Sequence, residues 1–169
     1  MSTMPVLRRL SIPAALLLAG CVGVMPVPAG SASNSGSGGG GEMTMRGETE
    51  EVARLVNEHR ARIGCRALAW DGAAARAAQA HSDDMARRNY FSHTSPDGGT
   101  MVERLRAQGA SYRMIAENIA MGQPTAREVV RGWLNSPGHR QNIENCGYTR
   151  HGVGLRAGRW THVFYTPLQ

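Results

Sequence analysis

Lysine is missing from this sequence, so all 19 of its basic residues are arginine. The arginines outnumber the 13 acidic residues and give a formal net charge of +6 at pH 7. They are scattered along the chain and form neither a basic run nor an RNA-binding signature. We interpret the use of arginine as a compositional bias, and we expect no nucleic-acid partner.

Three common catalytic signatures are also missing. The chain contains no H-E-x-x-H zinc motif, no G-x-S-x-G nucleophile elbow and no phosphate-binding P-loop. Nor does the sequence place a nucleophile beside a base, which argues against covalent catalysis. Function must therefore be sought in histidine and glutamate residues that lie outside these motifs.

No apolar run is long enough to cross a bilayer. The longest near the start, residues 12–19, follows Arg8 and Arg9 and has the length of a signal-peptide core. It ends in Leu18-Ala19-Gly20-Cys21, which resembles a bacterial lipobox. The resemblance implies that residues 1–20 are a lipoprotein signal peptide and that Cys21 is lipidated. The alternative is a plain signal peptide whose cysteine is incidental.

Cysteine is scarce, with three residues in the chain. If Cys21 carries lipid, then Cys65 and Cys146 remain, and in an oxidising compartment they form a natural disulfide pair. Such a bridge would stabilise the fold by about 4 kcal/mol in the chain-entropy model. A reactive thiol paired with a histidine is the alternative.

The composition divides the chain into a tether and a domain. Residues 21–47 begin with Cys21 and are rich in Gly, Ser, Ala and Pro, which predicts a flexible linker. Residues 48–169 carry the apolar periodicity of a folded domain.

Capping residues and apolar periodicity predict four helices and a short helical turn in this domain. The first helix ends at Gly64, and Asp71 caps an Ala-rich second helix. A Thr-x-x-Glu capping box begins the third helix at Thr100 and the fourth at Thr125. The pair Ser136-Pro137 begins the short helical turn.

Strands are predicted mainly after Cys146. Residues 153–155 and 160–165 form two strands joined by a turn at Ala157-Gly158, and a further short strand lies near residues 66–70 or 114–120. Helices combined with a small antiparallel sheet predict an α+β fold, an α-β-α sandwich.

Three polar residues beside turns and helix ends are candidates for a site. His93 lies in FSHTSPDG, Glu117 in AENIA and His139 in GWLNSPGHRQNI. Together, in this order and spacing, these strings resemble the CAP superfamily, also called the SCP or PR-1-like family, and above all its bacterial branch. The resemblance covers about residues 50–169, the whole predicted domain.

The resemblance implies an α-β-α sandwich whose central cleft holds two histidines and two glutamates in many members. His93 and Glu117 match the first of each. The other two positions depart from the pattern, because Ser136 stands where the second glutamate usually lies and Arg159 where the second histidine usually lies. We expect His139 to replace that histidine. Its alternative role is a helix-start residue hydrogen-bonded to nearby backbone.

Two further histidines are predicted to be structural. Side chains alternate along a strand, so His162 faces away from Arg159 and shares a face with Trp160 and Phe164. His81 falls on the apolar face of the second helix, among alanines. A site role is the alternative for both.

The candidate residues His93, Glu117 and His139 have three sensible uses. The two histidines can bind Zn²⁺ or another divalent metal, a histidine paired with the glutamate can act as a general base, and all three can hydrogen-bond a ligand without chemistry. Because many family members bind lipids or lack an agreed activity, the resemblance favours binding of a lipid, peptide or other envelope ligand. A metal-assisted hydrolase acting on envelope peptides is the alternative, and an adhesive envelope protein is a third.

The sequence leaves open whether the cleft is catalytic. We expect a monomer held at the membrane of a bacterial cell envelope through lipidated Cys21. Val22 follows that cysteine in place of the aspartate that often retains lipoproteins in the inner membrane. The outer membrane is therefore the expected location if the organism is Gram-negative.

Overall fold

The computed structural model describes residues 39–168, which form five helices and a four-stranded sheet. The helices are α1 (Gly39–Arg62), α2 (Gly72–Arg87), α3 (Met101–Ala107), α4 (Ala126–Asn135) and α5 (Pro137–Glu144). The strands are β1 (Ala69–Trp70), β2 (Met114–Met121), β3 (Arg150–Arg156) and β4 (Arg159–Thr166). The predicted signal peptide and Cys21 lie outside the described residues.

The sheet has the strand order β1-β3-β4-β2, with β2 at one edge. Strands β3 and β4 form the predicted hairpin, and the turn residues Ala157 and Gly158 have positive φ angles of 46° and 71°. Positive φ at both turn residues matches the right-handed twist of the flanking strands. Both candidate regions for a further strand form one: β1 pairs in parallel with β3, and β2 pairs antiparallel with β4.

Helices cover both faces of the sheet, which confirms the predicted α-β-α sandwich. Strand β4 shows the alternation: Trp160 and Phe164 join one core with α1, α4 and α5, while Val163 and Tyr165 join a second core with α2 and α3. Each strand therefore presents one set of side chains to each layer.

Helix α2 packs unusually close to the sheet because β3 carries glycine where the two meet. A Cβ atom on Gly152 would lie 2.1 Å from the backbone nitrogen of Ala75, and one on Gly154 would lie 2.4 Å from that of Gln79. Any other residue would push the helix outward.

The predicted helix starts are confirmed by their caps. The Asp71 side chain accepts a hydrogen bond from the Ala74 amide at 3.0 Å. Thr100 forms a complete capping box with Glu103, and Thr125 accepts from the amide three residues later. At α5, Ser136 is the N-cap residue, but its side chain makes no capping hydrogen bond.

Helix α1 begins earlier than expected. It starts at Gly39, inside the segment predicted as linker, so the folded region begins before residue 48. The cause is tertiary, because Met45 packs against the larger core and the Glu48 carboxylate accepts a hydrogen bond from the Ala126 amide at the start of α4.

A disulfide joins Cys65 and Cys146, with Cα atoms 5.1 Å apart, as predicted. It ties the segment after α1 to the segment after α5.

Candidate functional site

Three segments converge beside the edge strand β2. The loop between α2 and α3 carries His93, β2 carries Glu117, and the first turn of α5 carries His139. Because β2 alternates its side chains between faces, Glu117 points toward the layer of α2 and α3. There His93 meets it, with its Nδ1 2.9 Å from Glu117 Oε1.

Glu117 is a fully buried carboxylate whose negative charge is paired with the Arg104 guanidinium. Its side chain is 0% exposed, and its second oxygen, Oε2, accepts a hydrogen bond from Arg104 Nη2 at 2.8 Å. The same guanidinium donates to the backbone carbonyl of His93 at 3.0 Å. A buried carboxylate is tolerated only with such partners. Arg104 therefore holds both members of the His93–Glu117 pair.

His81 lies directly behind this pair. It is fully buried, as its place among alanines predicted, and its Nε2 donates to the carbonyl of Ser92 at 2.9 Å. The same nitrogen lies 3.9 Å from Glu117 Oε1. Burial lowers the pKa of His81, and the negative charge of Glu117 partly opposes that effect. The residue thus supports the backbone next to His93.

His139 faces the cleft from the opposite layer. Its Nδ1 is 2.9 Å from the Ser136 hydroxyl, which explains why that serine does not cap α5. Burial and then the nearby charge of His93 lower the pKa of His139. Its ring therefore bonds a side chain, whereas the alternative prediction had placed it on the backbone. The Asn118 side chain fixes α5 on β2, since its Nδ2 donates to the His139 carbonyl at 3.0 Å and its Oδ1 accepts from Asn142 Nδ2 at 2.8 Å.

Two cavities open along β2 around these residues. We call the first the polar pocket: it has a volume of about 480 Å³ and is lined by His93, Glu117, Thr94, Thr100 and Asn142, among others. We call the second the apolar pocket: it has a volume of about 330 Å³ and is lined chiefly by Phe91, Ile119, Met121, Val129 and Trp133, with Gly132, Ser136 and His139 also in its wall.

A larger cavity of about 730 Å³ lies elsewhere, between α1, α2 and β3. The described residues that line it include no histidine and no glutamate, and its Asp83 is already paired with Arg156 at 3.6 Å. We therefore place the candidate site beside β2.

Arg159, one of the two departures from the family pattern, and His162 lie on opposite faces of β4, as the alternation of strand side chains predicts. Arg159 donates to the Asn89 side chain at 2.8 Å. His162 is fully buried in the core, 3.9 Å between ring centroids from Phe164, which confirms its structural role. Its Nε2 shares a hydrogen bond with Nδ1 of His151 at 3.0 Å.

The side chains at the site do not fit a metal centre with three protein ligands. Within the described part of the chain, no group of three or more His, Cys, Asp or Glu residues is arranged to hold a metal ion. Both oxygens of Glu117 are occupied by His93 and Arg104, whereas a catalytic zinc site ordinarily uses three protein ligands. Metal binding by His93 and His139 stays a prediction.

The sequence analysis did not predict Arg104 as a site residue, and it did not predict that His81 lies next to Glu117. Arg104 follows Glu103 of the capping box, and nothing local distinguishes it from other helix-surface arginines. Its contact with Glu117 depends on how α3 packs beside β2. His81 offered one signal, a polar ring on an otherwise apolar helix face.

The α-β-α sandwich and the histidine–glutamate pair at its edge strand are the features that the resemblance to the CAP superfamily led us to expect. The model of the Cysteine-rich secretory protein family (CAP) matches residues 53–165, and the chain belongs to this family. The resemblance in the three sequence strings is thereby confirmed.

Among relatives in Bacillus subtilis (strain 168), the protein YkwD is 42% identical over 117 residues, covering 68% of this chain and 46% of its own. The membrane protein YlbC is 37% identical over 115 residues, covering 68% of this chain and 33% of its own. The chain thus spans less than half the length of either relative.

A crystal structure of an extracellular protein containing a SCP domain from Bacillus anthracis str. Ames superposes with a TM-score of 0.72 at 37% identity, covering 73% of this chain and 42% of that one. In residues 39–168, no helix has both the length and the apolar character needed to cross a membrane.

Proposed function

We propose that this chain is a binding protein of the bacterial envelope whose cleft holds a ligand between His93 and His139. The observation that carries the proposal is the His93–Glu117 hydrogen bond of 2.9 Å beside an open pocket. Glu117 is fully buried and already bonded to Arg104, so it serves to orient His93. The His93 side chain is 55% exposed and is free to meet a ligand.

The arrangement supports recognition more than reaction. Each imidazole has its Nδ1 engaged, His93 with Glu117 and His139 with Ser136. A histidine anchored at one nitrogen offers the other as a directed donor or acceptor. Two such groups, one in each of the neighbouring pockets, are suited to hydrogen-bonding polar groups of a ligand. Since the residues do not fit a three-ligand metal centre, we derive no hydrolytic step through a metal.

The proposed ligand is a component of the cell envelope, a peptide or a lipid. The related protein of Bacillus anthracis is described as extracellular, and the relative YlbC as a membrane protein. The lipobox-like string ending at Cys21 supports a tether to the membrane. A tethered cleft can reach only envelope material near the membrane surface.

Calorimetric titration of the full chain tests the binding proposal. The probes are cell-wall stem peptides and vesicles of phosphatidylglycerol, each titrated into wild type, His93→Ala, His139→Ala and His59→Ala. His59 is the matched control, because it lies on α1, pairs with Glu144 and lines neither pocket. We expect loss of about tenfold or more in affinity for the two cleft variants, since each variant loses the imidazole that hydrogen-bonds the ligand.

Equal affinity in wild type and both cleft variants would show that the cleft is not the binding site. The tether is tested separately, by growing cells with radiolabelled palmitate. Label should appear in wild type and be absent from Cys21→Ser, and label retained in that variant would refute the assignment of Cys21.

A further inference from the structure

The apolar pocket exposes two large hydrophobic side chains next to the polar site. Phe91 is 46% exposed and Met121 is 49% exposed, and both belong to its wall. Large side chains so exposed on opposite sides of one cavity are typical of a surface that a ligand covers. The pocket adjoins the candidate site, because α5 contributes His139 to its wall and Asn142 to the wall of the polar pocket.

The apolar and polar pockets follow one another along β2. Ile115 and Glu117 line the polar pocket, and Ile119 and Met121 line the apolar pocket. Four residues of a strand separate Ile115 from Ile119, which is roughly 13 Å at the usual rise. The two cavities are therefore neighbours on this strand, and the α2–α3 loop and α5 contribute residues to both. We call the two cavities together the groove.

We propose that this groove binds an extended peptide, with one large apolar side chain seated in the apolar pocket and a polar portion about four residues away in the polar pocket. The inference rests on the proposed function and names its ligand class. A peptide spans the two cavities in about four residues, since an extended chain rises by roughly 3.3 Å per residue. His93 in the polar pocket and His139 in the apolar pocket then meet the peptide backbone, which offers a donor and an acceptor at nearly every residue.

An acyl chain fits the groove less well. An acyl chain is apolar along its whole length, whereas the polar pocket is lined by polar side chains such as His93, Thr100 and Asn142. The apolar pocket of about 330 Å³ has the size for a side chain rather than for a whole ligand, at the low end of ligand-cavity volumes.

The peptide is held by the pockets and not by addition to the sheet. The edge carbonyl of Glu117 faces the Asn142 side chain at 3.5 Å, and that of Ile119 accepts from the Trp133 indole at 3.2 Å. These two carbonyls, in the middle of the edge that a new strand would use, are therefore covered.

Gly132 offers a way to close the apolar pocket without disturbing the fold. It lies in α4 on the pocket wall, and a Cβ added there would meet no atom within 4 Å. Glycine inside a helix is also less favourable than leucine. Gly132→Leu should therefore fill the cavity while leaving the helix intact. Arg131→Leu, one residue earlier and outside the pocket lining, is the matched control.

A phage library of random heptapeptides, selected on the full chain, supplies the probe. The selected peptide and its version with alanine at the apolar position are then measured by calorimetry on wild type, Gly132→Leu, Arg131→Leu and His93→Ala. We expect Gly132→Leu to weaken the parent peptide about tenfold or more, as burial of one large apolar side chain implies. Arg131→Leu should stay within about twofold, and the alanine peptide should bind wild type and Gly132→Leu equally.

Other outcomes separate this inference from the proposed function. If Gly132→Leu binds the parent peptide as tightly as wild type while His93→Ala does not, the apolar pocket is unused but the polar cleft stands. If Gly132→Leu weakens peptide binding and His93→Ala does not, the apolar pocket binds the peptide and the binding role proposed for His93 is refuted. If no peptide is selected, and vesicles of phosphatidylglycerol bind wild type but not Gly132→Leu, the occupant is an acyl chain and the peptide is excluded. If neither probe binds, the inference fails.

Discussion

Arg60 is fully buried and meets backbone carbonyls rather than a carboxylate. Its guanidinium donates to the carbonyl oxygens of Arg66, Ile143 and Asn145 at 3.1, 2.7 and 2.9 Å, and to that of Tyr148 at 3.3 Å. Three of these carbonyls belong to the irregular segments beside the disulfide, and that of Ile143 belongs to the last turn of α5. The planar fork of arginine reaches all four with donors on three nitrogens, whereas the ammonium of lysine has three donors on one nitrogen.

Replacing Arg60 should therefore destabilise the domain strongly. We expect Arg60→Met to lower the free energy of unfolding by about 3 kcal/mol or more, because buried carbonyls lose their donors. Urea denaturation measures the change. Arg54→Met is the control: Arg54 is on the same helix but exposed, and its pairs with Glu51 and Glu58 are worth little. Similar losses in the two variants would contradict the role assigned to Arg60.

Only some of the residues at the site could be predicted from the sequence. His93, Glu117 and His139 were found from their strings, and the structure brings the first two into contact. The partners Arg104 and His81 were not found as site residues. Both contact Glu117 only because α2 and α3 pack on the same face of β2, which no local pattern records.

At the scale of elements, the approach of α2 to β3 is the tightest constraint in the fold. Side-chain-free Gly152 and Gly154 let the helix backbone lie directly on the strand. The Gln79 side chain then reaches the strand, exchanging hydrogen bonds with the backbone N–H and C=O of Leu155 at 3.1 and 3.0 Å. The Gln79 side chain thus bonds the backbone groups of Leu155 that a neighbouring strand would otherwise pair with.

Gly154→Ala should break this approach. Its Cβ would lie 2.4 Å from the Gln79 backbone nitrogen, so α2 must shift, and we expect a loss of about 3 kcal/mol in the free energy of unfolding. Thermal and urea denaturation both report it. Gly138→Ala is the matched control, since an added Cβ there meets nothing within 4 Å. A fully stable Gly154→Ala protein would show that the helix is free to move outward.

Elements were predictable where their signals are local. The caps at Asp71 and Thr100 act within three residues, and the hairpin turn within two, so the sequence already contains both partners. The start of α1 was misplaced because its first turns are Gly-rich and are held by packing of Met45 and by Glu48 on α4. A tertiary contact of this kind leaves no local pattern.

At the scale of the whole molecule, the disulfide joins residues 81 apart in the sequence. Replacing both Cys65 and Cys146 by alanine should lower the free energy of unfolding by about 4 kcal/mol, because the unfolded chain regains the entropy of a long open loop. Chemical denaturation under non-reducing conditions tests this. Cys21→Ala should leave the domain's stability unchanged, and a loss below about 1 kcal/mol in the double variant would show that the bridge contributes little.

Acid stability is set by histidines that are buried in the neutral form. Burial, with a smaller effect of Arg60, lowers the pKa of His151 from 6.5 to about 4, and burial and then His151 and Arg60 lower that of His162 well below its ordinary value. Below pH 6.5 these histidines are protonated in the unfolded chain but stay neutral in the folded chain. Their contribution to the free energy of unfolding is therefore complete above pH 6.5 and is lost as the pH falls toward 4.

We expect His151 alone to account for about 3 kcal/mol of this loss, with His162 adding to it. Urea denaturation at several pH values between 7 and 4.5 measures the slope. The double variant His151→Leu/His162→Phe should show a shallower slope, with the remainder from His81 and His139, whose pKa values are also lowered. A wild-type stability that does not change over this range would contradict the assignment.

The sequence by itself determined the family, the order of the helices and of the two hairpin strands, the disulfide partners and both members of the His93–Glu117 pair. These depend on local patterns: caps within three residues, alternation along strands, and strings of fixed spacing. Only the tertiary structure decided that Arg104 and His81 surround Glu117, that His139 bonds Ser136, and that two pockets line one groove along β2. Those contacts join segments brought together by layer packing, and the geometry of that packing is not encoded in any single stretch of chain.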